Sequence, residues 1–209
     1  MNLSLNEVEA LVKKACRGSG LNWGASAEVG RTMRWLVGHQ PDALTDLTQL
    51  LHNNDQVSTA AVSPGNLLSP WLAASGHLSP LMAGLSLCDV ADQLSDEPLY
   101  MEQVDSPRLL IGFLGRAASA RALTLALVTE KATATTDGVG RAAAGDWATA
   151  ERVQVRVVAP QPLPAAQTSR VTIDRPTFEA LLAFGERTYA PATEQSRLSG
   201  AGAGLSDND

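Results

Sequence analysis

Two arginines, Arg187 and Arg197, bracket a stretch reading Thr188-Tyr189-Ala190-Pro191-Ala192-Thr193-Glu194-Gln195-Ser196, which is dense in hydrogen-bonding side chains. Planar guanidinium groups grip a carboxylate or phosphate through two parallel N–H donors, so this segment, with Tyr189, Thr193 and Glu194, is a candidate site for a small anionic ligand. It also suits a purely structural role. Arg187 near a helix C-terminus favours the helix dipole, and Thr193 can cap a short turn running through Arg197. A second cationic face lies near the start of the chain. Lys13 and Arg17 are four residues apart and Arg31 and Arg34 three apart, so each pair shares one side of its helix, with Trp23 and Trp35 close by in sequence. Such a face receives an anionic ligand or a partner helix, or consists of solvated arginines beside core aromatics.

The glycines that follow are a weaker signal. Gly200, Gly202 and Gly204 are spaced by two, whereas a dinucleotide loop needs Gly-x-Gly-x-x-Gly between a strand and a helix, and no Lys-Ser or Lys-Thr pair follows to make a phosphate loop. Alternating glycine and alanine permits close backbone approach to another segment or to a ligand, and it equally describes a mobile tail. Gly200 and Gly202 therefore join the candidate set of Arg17, Trp23, Arg34, Arg187, Tyr189, Thr193, Glu194 and Arg197.

Catalysis is not legible. His39, His52 and His77 lack metal-ligand spacing, no serine sits in a Gly-x-Ser-x-Gly elbow, and Asp207-Asn208-Asp209 lacks the loop of a calcium site. Cys16 and Cys88 are too far apart for a zinc knuckle or a Cys-x-x-Cys redox pair, and read as reduced thiols. Neither a metal nor a cofactor is expected, and whether the chain is an enzyme stays open.

The elements that would position these residues follow from periodicity. Ser4 and Glu7 form a capping-box pattern ahead of Leu5, Val8, Leu11, Val12 and Ala15 at helical spacing, which Gly18 and Gly20 stop. A second helix is expected from about Ser26 to Val37, and Asp42 is placed to cap a third bearing Leu44, Leu47, Leu50 and Leu51. Prolines interrupt residues 56–107, which read as irregular. Leu109–Leu114 and Leu123–Thr129 read as central strands, and Lys131–Thr136 and Val153–Val157 as strands with one wet face. Asp137–Arg141 is a turn signal. Asp174 is placed to cap a last helix burying Phe178, Leu181, Leu182 and Gly185. The expectation is one α+β domain over residues 1–209: helical cluster to 55, irregular to 107, mostly antiparallel sheet to 174, then a helix and tail.

Composition narrows the partners. Of 209 residues 44% are hydrophobic and 18% charged, which suits a soluble globular protein, and no apolar run is long enough to span a membrane. A net charge of −6 argues against nucleic acid. The first residues have neither a basic start nor an apolar core, so no secretory signal is read and the cytoplasm is the expected location.

The chain resembles over its whole length a bacterial family catalogued only as a domain of unknown function, most specifically in Arg17-Gly18 through Trp23-Gly24, in Arg34-Trp35-Leu36 and in the tail from Thr188 to Asp209. The resemblance implies no activity; it favours an ordered tail, with backbone facing a ligand or partner. Two functions then compete. One is a non-catalytic binding or accessory subunit that works with a metabolic enzyme, through a protein partner or self-association, and needs an exposed apolar patch. The other is an enzyme or sensor that binds a small anionic metabolite between the N-terminal helices and the C-terminal segment. It needs a concave pocket where Arg17, Arg34, Arg187 or Arg197 converge.

Overall fold

Short polar caps set the helices at the start of the chain. A computed structural model describes residues 1–166 and 168–189. A three-residue strand, β1 (Asn2–Ser4), leads into α1 (Leu5–Gly18), where the Glu7 amide donates to Ser4 Oγ at 3.2 Å and the Ser4 amide donates to Glu7 Oε2 at 2.7 Å. This reciprocal pair is the expected capping box. Helix α2 (Trp23–His39) starts earlier than its apolar pattern suggests because Asn22 caps it, accepting from the Ala25 amide at 2.8 Å. Asp42, expected to cap α3 (Ala43–Asn53), does not: its own backbone is already helical and its side chain makes no capping bond.

The stretch expected to be irregular holds more structure than its prolines suggest. It contains a single turn, α4 (Thr59–Val62), a helix α5 (Pro80–Asp89) and a strand β2 (Leu99–Asp105). Pro80 opens α5, where its missing N–H costs nothing. Segments around Trp71 and Leu78 cover part of the outer edge of β2: the Trp71 amide donates to the Tyr100 carbonyl at 2.8 Å and the Leu78 amide to that of Gln103 at 2.9 Å. Covering an edge in this way blocks pairing with other chains.

The run Leu109–Leu114 is not a strand. It enters α6 (Leu110–Arg121), with Leu109, Leu110, Ile111, Phe113 and Leu114 fully buried. Helix α6 lies between α2 and the sheet and also packs on α5, so its first half is apolar on every side and shows no helical period there. Gly112 lets it approach α2: a β-carbon there would meet Thr32 Cγ2 at 2.6 Å.

The sheet follows in β3 (Thr124–Val128), β4 (Ala132–Thr136), β5 (Arg141–Gly145) and β6 (Thr149–Val158). Every pairing between these strands is antiparallel and the order is β2-β6-β3-β4-β5. Three strands joined by hairpin turns, with the next returning beside the first, make a Greek key. The return crosses the tip of the β3–β4 hairpin, where the Asp146 amide donates to the Lys131 carbonyl at 3.2 Å. The connector then reaches β7 (Arg170–Thr172), which pairs with β1, and α7 (Arg175–Glu186). Asp174 caps α7 as expected, accepting from the Thr177 amide at 2.8 Å. Leu181, Phe184 and Gly185 are buried, Phe178 half-buried, and Leu182, expected inside, is 40% exposed. The architecture is α+β, with helices α1–α3 at the start, an antiparallel sheet in the second half and α7 packed back on α1. No described helix is long and apolar enough to cross a membrane.

Candidate functional site

Helix α1 ends against the last turn of α7. Gly18 has no side chain because the Phe184 carbonyl occupies the space a β-carbon would need, so the two backbones touch. That contact puts Arg17, in the last turn of α1, beside Arg187, which directly follows α7. Both line one cleft of about 370 Å³ with Gly18, Gly20, Trp23, Gln56 and Thr188.

Each side chain is held by identifiable contacts. Arg17 donates through Nη1 to the Leu21 carbonyl at 3.1 Å, and its guanidinium lies 5.6 Å from the centre of the Trp23 ring. Lys13 Nζ stands 5.9 Å from the same centre. Trp23, the first residue of α2, remains 51% exposed, so its ring is available to a second flat group. Gln56 adopts a positive φ of 58° in the turn after α3, and its Nε2 donates to the Gly18 carbonyl at 3.2 Å. Thr188 Oγ1 donates to the Gly185 carbonyl at 2.7 Å, a helix-end bond.

Arg187 is already paired: its Nη1 donates to Asp55 Oδ1 at 2.6 Å, and its guanidinium sits 4.6 Å from the Phe184 ring centre. The hydrogen bond from Arg187 holds the Asp55 carboxyl below its usual range, against the opposing effect of desolvation. Among the described residues Lys13, Lys14 and Arg17 form no salt bridge. The mouth of the cleft is therefore cationic on a chain whose net charge is −6. Chemically it offers a fixed guanidinium, a flat aromatic face and polar donors, which suits an anion with a planar portion. No nucleophile and base stand together here, and among the described residues no three His, Cys, Asp or Glu side chains assemble as a metal ligand set.

Of the candidate residues, Arg17, Trp23 and Arg187 come together. Tyr189 does not line the cleft; its Oη accepts from Lys14 Nζ at 2.7 Å. Arg34 does not join them: it pairs with Glu9 at 3.3 Å and lines a different cavity beside Trp35. Thr193, Glu194, Arg197, Gly200 and Gly202 lie outside the described residues. Sequence reasoning missed Asp55 and Gln56, whose only signal was the polar run Asn53-Asn54-Asp55-Gln56 closing α3.

No curated protein and no solved structure matches the chain. Residues 3–77, which carry α1 to α4 and supply Arg17, Trp23 and Gln56 to the cleft while Arg187 and Thr188 come from beyond them, match the model of the family described as Protein of unknown function (DUF3726).

Proposed function

We propose that this chain is a cytoplasmic binding protein, acting as a sensor or as a subunit of a metabolic system, that takes a small anionic metabolite in the cleft between α1, α2 and the end of α7. One observation carries the reading: Arg17 and Arg187, separated by nearly the whole sequence, line the same 370 Å³ cleft with the half-exposed Trp23. A volume of that size accommodates a small metabolite. The test is a thermal-shift screen with phosphate, succinate, citrate and benzoate. A ligand that binds the folded state raises its midpoint, and that rise should vanish in Arg17→Ala and in Arg187→Ala but persist in Arg34→Ala. A rise that survives both of the first two substitutions overturns the proposal.

A second reading, an accessory subunit that docks on a protein, is favoured by a separate feature. Leu67, Leu68 and Leu72 expose 52%, 78% and 55% of their surface on one loop beside β2. If this patch drives self-association, light scattering will show a concentration-dependent mass that Leu68→Asp abolishes. A monomer at all concentrations, unchanged by that substitution, removes self-association as its use.

A further inference from the structure

A larger cavity, of about 590 Å³, opens on the opposite half of α2. Its walls are Leu5 from α1, Trp35 and Gly38 from α2, Val139 from the β4–β5 turn, and Ala165 and Ala166 from the connector that precedes β7. Trp35 is a fixed wall. A β-carbon on Gly115 would stand 3.0 Å from its Cη2, and the His39 ring centre lies 4.3 Å from its own, the two planes tilted by 41°. His39 is itself tied down, its Nδ1 bonded to the Trp35 carbonyl at 3.0 Å.

Val139 is the informative residue. It is 68% exposed, yet the turn that carries it is rigid: Asp137 Oδ1 accepts from the amides of Val139 at 2.9 Å and Gly140 at 2.7 Å. Gly138, at a φ of 91°, rests on α6, where a β-carbon would meet Ser119 Cβ at 2.6 Å. An apolar side chain is thus held out over an apolar cavity by a turn pinned beneath it.

The charge at the mouth does not balance. Arg31, Arg34 and Glu9 all line the cavity; Arg34 pairs with Glu9, and Arg31 shares Glu28 with Arg116, which lies outside the lining. Each guanidinium has a carboxylate partner, but three of them share two carboxylates, so the cluster keeps a net charge of +1. We propose that this cavity is a second binding site, whose ligand is a small apolar monocarboxylate bearing a ring: the ring lies along Trp35 under Val139, and the carboxylate is received by Arg34 and Arg31. This site is separate from the Arg17–Arg187 cleft and does not depend on it.

The probes are naphthalene-2-carboxylate and its neutral carboxamide, titrated into the whole protein by calorimetry. The carboxylate should bind one to one, and about tenfold more tightly than the amide, as expected when a charged hydrogen-bonded pair forms. Arg31→Ala/Arg34→Ala should remove that preference, Glu9→Gln should increase it, and Ala166→Trp should weaken both probes by occupying the cavity. Arg17→Ala should change neither. The proposal is overturned if neither probe binds, if carboxylate and amide bind equally, or if Ala166→Trp with a native unfolding midpoint binds as the parent does. Loss of binding on Arg17→Ala alone would assign the probe to the other cleft, and equally overturns it.

Discussion

Gly18 and Phe184 meet backbone to backbone, the glycine α-carbon facing the Phe184 carbonyl with no room for a single methyl group between them. Both residues are buried, so the strain of an added group has nowhere to dissipate. Gly18→Ala should destabilise the protein by about 1–3 kcal/mol, and should also separate Arg17 from Arg187. The check is the urea midpoint together with the ligand-induced thermal shift. An alanine variant as stable as the parent would show that α1 and α7 are not in contact here.

The capping box at the start of α1 gives a smaller effect. Ser4→Ala removes the acceptor for the Glu7 amide and should cost about 1 kcal/mol, measured as a shift in the denaturation midpoint with unchanged cooperativity. Because α1 packs on both α2 and α7, the loss should appear in global unfolding and not only as fraying.

Acid should weaken the fold through carboxyls held below their ordinary range. Asp174 is held down first by the Thr177 amide and then by the Thr177 hydroxyl, Glu7 by the Ser4 amide and hydroxyl, and Asp137 by the amides of Gly140 and Val139. In each the folded state binds a proton less readily than the unfolded chain. The stability they contribute is complete above the unfolded value of about 4 and is lost as pH falls through the lower folded value. Asp174→Asn keeps a capping oxygen but does not titrate. Its unfolding midpoint should therefore fall less between neutral pH and a pH of about 3 than that of the parent. An equal fall in the two proteins would exclude Asp174 from the acid response.

Neither cysteine should react in the native state. Burial pushes the Cys16 thiol up to about 12 and the Cys88 thiol up to about 11, so almost no thiolate exists at neutral pH. Iodoacetamide at a pH of about 8 should leave both unmodified by mass spectrometry until denaturant is added, whereupon both alkylate at the rate of a free thiol. Rapid native labelling of Cys16 would mean that the α1 face of the core opens readily.

Elements with one buried face were legible in the sequence, because burial on one side imposes a period. Val8, Val12 and Ala15 on α1 and Val153 and Val155 on β6 are such cases, as are the caps at Ser4 and Asp174. The period fails where a segment is buried on every side. Leu110–Leu114 lies between α2, α5 and the sheet, and a short apolar run there looks the same as helix or strand. Asp42 carries the chemistry of a cap but not the backbone of one. Of the candidate site, individual residue types could be picked out but not their partners. Arg17 meets Arg187 only because two glycine-lined backbones touch, and Arg34 is taken elsewhere by Glu9 one helix away.

The β1–β7 ribbon has a consequence for the order in which the protein assembles. Asn2 pairs with Thr172 and Leu3 with Val171, and α1 then rests on α7, so β1 and α1 are completed only by elements far later in the sequence. Local hairpins such as β3–β4 close over a few residues, whereas this pairing must close almost the whole chain, and contacts of such sequence separation form late. During synthesis the Val8, Val12 and Ala15 face of α1 is covered by α2 early but stays open towards α7 until α7 emerges. The cleft between Arg17 and Arg187 is then among the last features to form, and pulsed hydrogen exchange during refolding should find the amides of β1 and β7 protected after those of β3 and β4.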